Sequence, residues 1–431
     1  MNSTKSPPAS SRDAELLPLA RRTTWLGFAW ILVIAATPVF RLLLANLGDR
    51  LILAVQVLIV LTLLLGRARK PFGSPLWIAA GCLIPVAGAV AGQASDVAAS
   101  FSTAINLTIL VGLLPFALRY FTATERSWSS RAITAFFVVQ SISALAGILQ
   151  LQLGLEFFSN SARDGRANGL AGHPNVLGFM CTIAILASAY LLPRASRKLR
   201  LLLVVVLSVN FFALLGTGSL SNLAGLIVGG ILLLIAMRAT IKVVFWTVTA
   251  SLLSIPFFAL TGASLSELTG GLQGRVDVVT GETSGVGSLQ IRQQTWASAW
   301  ARIQEDPFGG SGMDAMHQAV YGTTVTHNII LRFWYQGGLI LLIALICVLI
   351  VMLGIIIRSL RTGRDAGPAA VLASIITFAM TSALYTEAQY WIPICLAVAL
   401  VGLPGGRDDG SLEPAGDTPR TAVQTQPLRK G

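Results

Sequence analysis

The sequence predicts an all-α protein that crosses a membrane many times. Hydrophobic residues make up 54% of the 431 residues, charged residues only 12%, and the mean hydropathy is +0.73. Soluble domains carry roughly 25% charged residues, so a soluble protein with a large core is excluded. Apolar runs of about 20 residues, the length that crosses the hydrocarbon layer, recur along the whole chain. Lipid offers no partner for loose backbone groups, so these runs must be helices.

About twelve such runs form a predicted transmembrane domain over residues 24–404. Each is bounded by polar or charged residues, as membrane spans usually are. The polar, Pro/Gly-rich ends at 1–23 and 405–431 are predicted to be disordered cytoplasmic tails. The predicted spans are 24–44, 51–66, 75–93, 98–118, 132–153, 170–192, 200–216, 220–237, 243–262, 328–357, 367–385 and 388–404.

The distribution of Lys and Arg predicts that both termini are cytoplasmic. With the N-terminus inside, only eight of the 31 cations fall on the outer side, and none of the eight is a lysine. Cytoplasmic segments of membrane proteins carry this kind of excess. The net charge of +12 is therefore a signal of topology and of attraction to anionic lipid, and it needs no nucleic acid. The outer cations are Arg41, Arg50, Arg163, Arg166, Arg275, Arg292, Arg302 and Arg332.

One outer loop, residues 263–327, is far longer than its neighbours, and loops of this length usually carry function. It contains the stretch "LQIRQQTWASAWARI", in which Leu289, Trp296, Trp300 and Ile303 share one face of a predicted helix. This apolar stripe is too short to span a membrane and suits a short amphipathic helix in the headgroup layer. A plain amphipathic cover over the bundle is the alternative.

The outer face is rich in arginine, which suits bidentate holding of phosphate groups. Its carboxylates are scattered, and no Asp-x-Asp pair of a metal-dependent sugar-nucleotide transferase is present. A cation held by Glu305, Asp306 and Asp314 is an alternative, and the three histidines are too far apart in sequence to indicate zinc. The sequence predicts a site that uses no metal and no cofactor. Its arginines are expected to bind a lipid-linked phosphate or diphosphate.

Three stretches in order resemble motifs of the O-antigen ligase and polysaccharide polymerase superfamily. They are "GRANGLAGHPNVLG", "RQQTWASAWARIQEDPFGGSGMD" and "HNIILRFWYQGGL". The resemblance implies a fold of the GT-C type in the bacterial inner membrane. It also implies metal-independent transfer of a glycan from an undecaprenyl-diphosphate carrier to an acceptor on the periplasmic side. Chain-length regulators and flippases are possible partners of such enzymes.

The resemblance also implies roles for individual residues. His327 is expected to be the general base, since an unperturbed pKa near 6.5 suits a base at neutral pH. Arg292 is expected to act in catalysis on the donor diphosphate. An interfacial histidine that satisfies a helix end is the alternative for His327. The expected substrate-binding residues are Arg166, Asn175, Asn328 and Arg332.

Two departures from the family pattern bear on the reaction. Leu220 stands where relatives carry a cation, and Gln336 stands where many carry Glu. The loss of the cation favours a polymerase of exopolysaccharide or surface repeat units over a ligase that transfers glycan to lipid A-core. Two different classes of protein stay open, a lipid-linked oligosaccharide flippase or similar transporter and a structural membrane subunit. The spans carry almost no Asp, Glu or Lys away from their ends, which favours an enzyme.

Overall fold

The computed structural model describes residues 25–402 apart from 67, 159, 239–269, 271–287, 315–318, 322–323 and 383. Within these residues the chain is almost wholly helical, with one two-stranded ribbon formed by β1 (Ala319–Tyr321) and β2 (Thr324–Val325). The predicted tails, the predicted span 243–262 and most of the predicted loop up to residue 287 lie outside the described residues.

Twelve helices run through the described residues. Eleven of them lie where the sequence predicts spans, and the remaining one, α9, contains the predicted amphipathic helix. In chain order they are α1 (Trp25–Leu47), α2 (Asp49–Leu65), α3 (Ser74–Ala91), α4 (Val97–Thr124), α5 (Arg126–Leu153), α6 (Pro174–Leu191), α7 (Arg197–Gly216), α8 (Leu220–Ala236), α9 (Ser288–Glu305), α10 (Ile329–Thr362), α11 (Ala366–Ala379) and α12 (Ala388–Leu400).

The chain is an all-α, polytopic membrane protein. Among the described residues, seven helices (α1, α3, α4, α5, α6, α7 and α10) are long and apolar enough to cross a membrane. Helices α8, α11 and α12 are apolar but shorter. Large apolar side chains point outward around the bundle: Leu53, Ile142 and Ile227 are each more than half exposed, as a lipid-facing surface requires. The figure of twelve spans stays a prediction.

Helix α6 lies at the centre of the bundle, packed against α7, α8 and α11. Its side chains from Val176 to Leu186 are buried. Its two ends therefore reach opposite faces of the protein from an enclosed core. The face at which α6 and α10 begin is called the outer face below, as the count of cations assigns it.

Helix α9 packs along the start of α10, but its buried face differs from the predicted tryptophan stripe. Thr295, Ala299 and Ile303 are buried, whereas Trp300 is 47% exposed and packs edge-on against Trp334. The predicted helix is confirmed, its place in the headgroup layer stays a prediction, and Trp300 lies outside the face that packs on the bundle. The small side chains of Thr295 and Ala299 allow α9 to approach α10 closely. The larger Trp300 lies at the edge of this contact.

The loop after α9 is hydrogen-bonded to α10 at a break in the α10 helix, and this contact fixes the position of α9. At Gly338 the backbone leaves helical geometry (φ 62°, ψ −163°), which frees the carbonyls of Tyr335 and Gln336. These carbonyls accept hydrogen bonds from the N–H groups of Ser311 (2.7 Å) and Gly312 (3.1 Å). A Cβ at residue 338 would collide with the carbonyl of Phe308, so only glycine allows this backbone-to-backbone contact.

Candidate functional site

A tight hairpin in the loop between α5 and α6 presents two arginines together. Arg163 and Arg166 exchange both backbone hydrogen bonds at 3.0 Å. The two residues between them, Asp164 (φ 53°) and Gly165 (φ 66°), both have positive φ. This is the geometry of a type I′ turn, which the dipeptide Asp-Gly favours. Because directly paired residues of a hairpin point to the same side, both arginine side chains lie on one face.

Gln150, buried near the end of α5, holds this loop in place. Its Oε1 accepts from the backbone N–H groups of Asn168 (3.1 Å) and Gly169 (2.8 Å). Its Nε2 donates to the carbonyls of Asn160 (2.8 Å) and Gly169 (3.2 Å). One amide thus satisfies four backbone groups of a segment without regular structure. The arginine hairpin therefore has a defined position against the bundle.

Arg166 is only 8% exposed, and two protein groups orient its guanidinium. Its Nε donates to the carbonyl of Thr217 (2.6 Å), just after α7, and one terminal nitrogen donates to Oδ1 of Asn175 (3.0 Å). Asn175 lies in the first turn of α6, where Nδ1 of His173 caps the helix by accepting from the Asn175 N–H at 3.1 Å. A guanidinium fixed in this way can meet a phosphate with little loss of side-chain entropy.

His327 lies between β2 and α10, and its hydrogen bond defines which ring nitrogen is basic. Its Nδ1 is 3.1 Å from the carbonyl of Val325. A carbonyl only accepts, so in the neutral ring Nδ1 carries the proton and Nε2 keeps its lone pair. Burial, followed by the positive charges of Arg292 and Arg332, lowers the pKa of His327 from 6.5 to about 4. The ring is therefore neutral at pH 7 and a weaker base than the unperturbed pKa near 6.5 implies.

These elements meet in one outer pocket of about 270 Å³. Its walls are formed by the arginine hairpin, the start of α6, the first half of α9 and the strand that precedes His327. Four of the predicted site residues, Arg166, Asn175, Arg292 and His327, line it. The full lining is Arg163, Asp164, Arg166, His173, Pro174, Asn175, Ile291, Arg292, Thr295, Thr324 and His327.

Residues 202–346 match the family model described as O-antigen ligase, a segment of about a third of the chain that includes Arg292 and His327. Residues 202–346 therefore form a domain of the O-antigen ligase and polysaccharide polymerase superfamily. The family resemblance inferred from the three motifs is thereby confirmed. No curated protein matches the chain. Members of this superfamily are glycan ligases and polymerases, so this O-antigen ligase family member is an enzyme of membrane glycan assembly that works with a lipid-linked glycan donor and a glycan acceptor.

The structure places two more predicted site residues of this family member behind the outer pocket. Asn328 is the N-cap of α10: its Oδ1 accepts from the N–H groups of Ile330 (3.0 Å) and Leu331 (3.1 Å). Arg332 is 3% exposed, donates from Nε to Oε1 of Gln336 (3.3 Å) and lies 4.4 Å from the ring centre of Tyr385. Neither residue lines the outer pocket, although the charge of Arg332 acts on His327.

The carboxylates considered for a cation do not converge. Asp306 is exposed and accepts from the N–H of Gly309, whereas Asp314 is buried and faces the hydroxyl of Ser100. In the part of the chain that the structure describes, no three His, Cys, Asp or Glu side chains form a group that could hold a metal ion. His317 and Asp277 lie outside that part.

Sequence reasoning missed the part that Arg163 and His173 take in the pocket. The Asp-Gly dipeptide between two arginines was the available signal for the hairpin, since it is a strong hairpin sequence even without flanking strands. His173 stands directly before Pro174, the first residue of α6, which is the position of an N-cap. Nothing in the sequence shows that these residues lie beside α9, because that contact depends on the tertiary fold.

Proposed function

We propose that this enzyme transfers a glycan from an undecaprenyl-diphosphate carrier at the periplasmic end of the outer pocket. The observation that carries the proposal is the meeting of three arginines with a neutral histidine in one pocket that holds a single carboxylate, Asp164. Guanidinium groups can bind a diphosphate and stabilise it further as it leaves, which is the work a metal does in other transferases. The transfer we propose is metal-independent and of the GT-C type, in a bundle of about twelve spans.

In the proposed reaction His327 is the general base. The oxygen of the acceptor hydroxyl attacks the anomeric carbon of the donor sugar while the bond from that carbon to the diphosphate oxygen breaks. The hydroxyl proton passes to Nε2 of His327, and undecaprenyl diphosphate leaves with the bonding electrons. Arg292 and Arg166 stabilise the leaving charge, and Asn175 keeps the Arg166 guanidinium oriented.

The donor would also raise the basicity of His327. A pKa of about 4 makes an imidazole a weak base at neutral pH, and catalysis favours a pKa near the working pH. A bound diphosphate brings negative charge next to Arg292, which offsets one cause of the lowered pKa. The base would thus become effective mainly when the donor is in place. Asn328 and Arg332 would act through His327, the first by fixing the start of α10 and the second by its charge.

We propose polymerisation of exopolysaccharide or surface repeat units as the reaction, with ligation to lipid A-core as the second candidate. Leu220 is the first residue of α8, so this helix start has no cation of its own. The Arg166 guanidinium donates to the carbonyl of Thr217, three residues before Leu220. Because this set of cations differs from the family pattern, we expect the acceptor to differ from lipid A-core as well. A flippase is the third candidate.

The deciding experiment gives the purified full-length protein an undecaprenyl-diphosphate repeat unit, with and without lipid A-core. Longer lipid-linked chains indicate a polymerase, and glycan on lipid A-core indicates a ligase. His327→Ala should abolish either product, and Arg50→Ala, an exposed outer arginine that lines no part of the outer pocket, should not. Absence of both products, with donor carried across vesicles instead, would favour the flippase.

We also propose an inner-membrane location with both termini cytoplasmic, which rests on the count of cations. Reporter fusions after Gly285 and at the C-terminus should give opposite signals. Matching signals would refute the twelve-span topology and the periplasmic position of the outer pocket.

A further inference from the structure

A second cavity lies at the opposite end of α6 from the outer pocket. It measures about 800 Å³, within the range of roughly 300–1,000 Å³ that ligand sites usually have. Helices α1, α5, α6, α11 and α12 form its walls. The walls are mainly apolar, with Ile34, Phe136, Ile183 and Ile392 among the lining residues. We call this the inner cavity.

The mouth of the inner cavity is basic. Arg194, Arg358 and Arg364 line it, and Asp365 is the one carboxylate among the lining residues that the structure describes. Asp365 lies 3.6 Å from Arg358, and its other oxygen accepts from the N–H of Gly402 at 3.0 Å. Arg194 donates to the carbonyl of Tyr190 (2.9 Å) and stacks on the ring of Tyr190 at 4.5 Å, which holds it at the rim. The mouth therefore carries a positive charge above an apolar interior.

The inner cavity has the depth of one membrane leaflet. Ile183 and Arg194 both line it and are eleven residues apart along α6 and its continuation. At about 1.5 Å per residue this is roughly 16 Å. The hydrocarbon layer is about 30 Å thick, so the inner cavity extends from the membrane surface to about the midplane. The count of cations assigns the surface at its mouth to the cytoplasm.

We propose that the inner cavity binds an anionic two-chain phospholipid of the cytoplasmic leaflet. Its phosphate lies against Arg194 and Arg364, and its acyl chains follow the apolar walls toward the midplane. Basic pockets between spans on the cytoplasmic side are known to take anionic headgroups. Because helices α1, α5, α6, α11 and α12 all meet here, the lipid holds together the bundle that carries the outer pocket.

Binding is measured by native mass spectrometry of delipidated full-length protein titrated with phosphatidylglycerol or with phosphatidylcholine of the same acyl chains. The first lipid bound should prefer phosphatidylglycerol. The double variant Arg194→Gln/Arg364→Gln should weaken phosphatidylglycerol binding by about fivefold per arginine and weaken phosphatidylcholine binding less, because the choline cation already offsets the charge of its phosphate. The matched control is Arg361→Gln, an exposed arginine of α10 that does not line the inner cavity. Ala187→Phe, which fills part of the apolar wall, should weaken both lipids.

Three results would overturn the proposal. Equal loss in Arg361→Gln would show a diffuse surface attraction instead of a site. Full competition by soluble glycerol phosphate would show an anion site that does not use the apolar walls. The third result is no preference for phosphatidylglycerol and no effect of any variant, as would occur if other residues of this chain filled the inner cavity.

Discussion

Replacement of Arg292 by Gln should raise the pKa of His327, and this effect can be measured without any glycan. The pKa of His327 is lowered from 6.5 to about 4, with burial as the largest cause and Arg292 as the next. A shift of this size disfavours the protonated ring by roughly 3 kcal/mol. Arg292→Gln removes one charge and leaves the burial, so the pKa should move upward by part of this shift.

The assay follows acylation of each histidine by diethyl pyrocarbonate between about pH 3 and pH 8, read by peptide mass spectrometry. Only the neutral ring reacts. At pH 5.5 roughly 97% of a ring with a pKa of about 4 is neutral, against roughly 9% for an ordinary histidine. The wild-type midpoint should therefore lie near pH 4. The Arg292→Gln midpoint should lie higher, and that of the control Arg50→Gln should stay unchanged.

Soluble pyrophosphate extends the same measurement to the proposed donor effect. If a diphosphate binds beside Arg292, it should raise the midpoint of His327 in the wild-type protein and have less effect in Arg292→Gln. A wild-type midpoint near pH 6.5 would contradict the burial and charge that the structure gives His327. A midpoint that neither Arg292→Gln nor pyrophosphate moves would refute the coupling between donor and base.

Four further predictions test how the outer pocket is built. Gly338→Ala should abolish activity and lower stability by about 1–3 kcal/mol or more, because the backbone geometry at residue 338 is nearly restricted to glycine and a Cβ would meet Phe308. The measurement is a thermal-shift assay. Its control is Gly230→Ala, where a Cβ meets nothing within 4 Å. Gln150→Leu should leave buried backbone groups of the loop without hydrogen-bond partners, which costs about 1–3 kcal/mol of stability for each group. It should also raise KM for the donor more than it lowers kcat. An unchanged KM would contradict the role of Gln150 in holding the arginine hairpin. Arg292→Ala should weaken donor binding and slow transfer. Arg292→Lys should restore activity only in part, because an ammonium lacks the planar fork of a guanidinium. His327→Ala should instead lower single-turnover rates by about 10²–10⁴-fold with little change in donor affinity. Turnover should survive EDTA; loss that Mg²⁺ or Mn²⁺ specifically restores would return attention to Glu305, Asp306 and Asp314.

The sequence predicted the helices well because lipid imposes one rule on every span. Apolar length alone located α1 to α8 and α10 to α12, with ends that moved by a few residues where caps such as His173 and Asn328 begin a helix. The predicted span 367–385 ends earlier, at Ala379, before a turn that brings Tyr385 to Arg332. Such shifts depend on side-chain contacts that hydropathy does not record.

The candidate site was predicted only in part. Motif resemblance named Arg166, Asn175, Arg292 and His327, which the structure brings into one pocket. The resemblance also named Arg332 as a substrate-binding residue, but a sequence motif cannot tell a cleft from a buried contact with Tyr385. The pKa of His327 was also outside the reach of sequence, because it depends on burial and on charges that come from another helix.

The outer pocket forms where the family segment 202–346 meets the loop between α5 and α6 and the start of α6, and three hydrogen bonds across this boundary end on backbone carbonyls. The N–H of Ala167 donates to the carbonyl of Gly216 at 2.8 Å, and Nε of Arg166 donates to the carbonyl of Thr217 at 2.6 Å. Nδ2 of Asn222 donates to the carbonyl of Asn175 at 2.9 Å. The Ala167 contact uses backbone atoms on both sides and so tolerates sequence changes, whereas the Arg166 contact needs the arginine side chain. In the proposed reaction the base His327 and Arg292 come from the family segment, and Arg163 and Arg166 come from the loop. We therefore expect substrate preference to vary in the loop while the proposed transfer chemistry stays in the family segment.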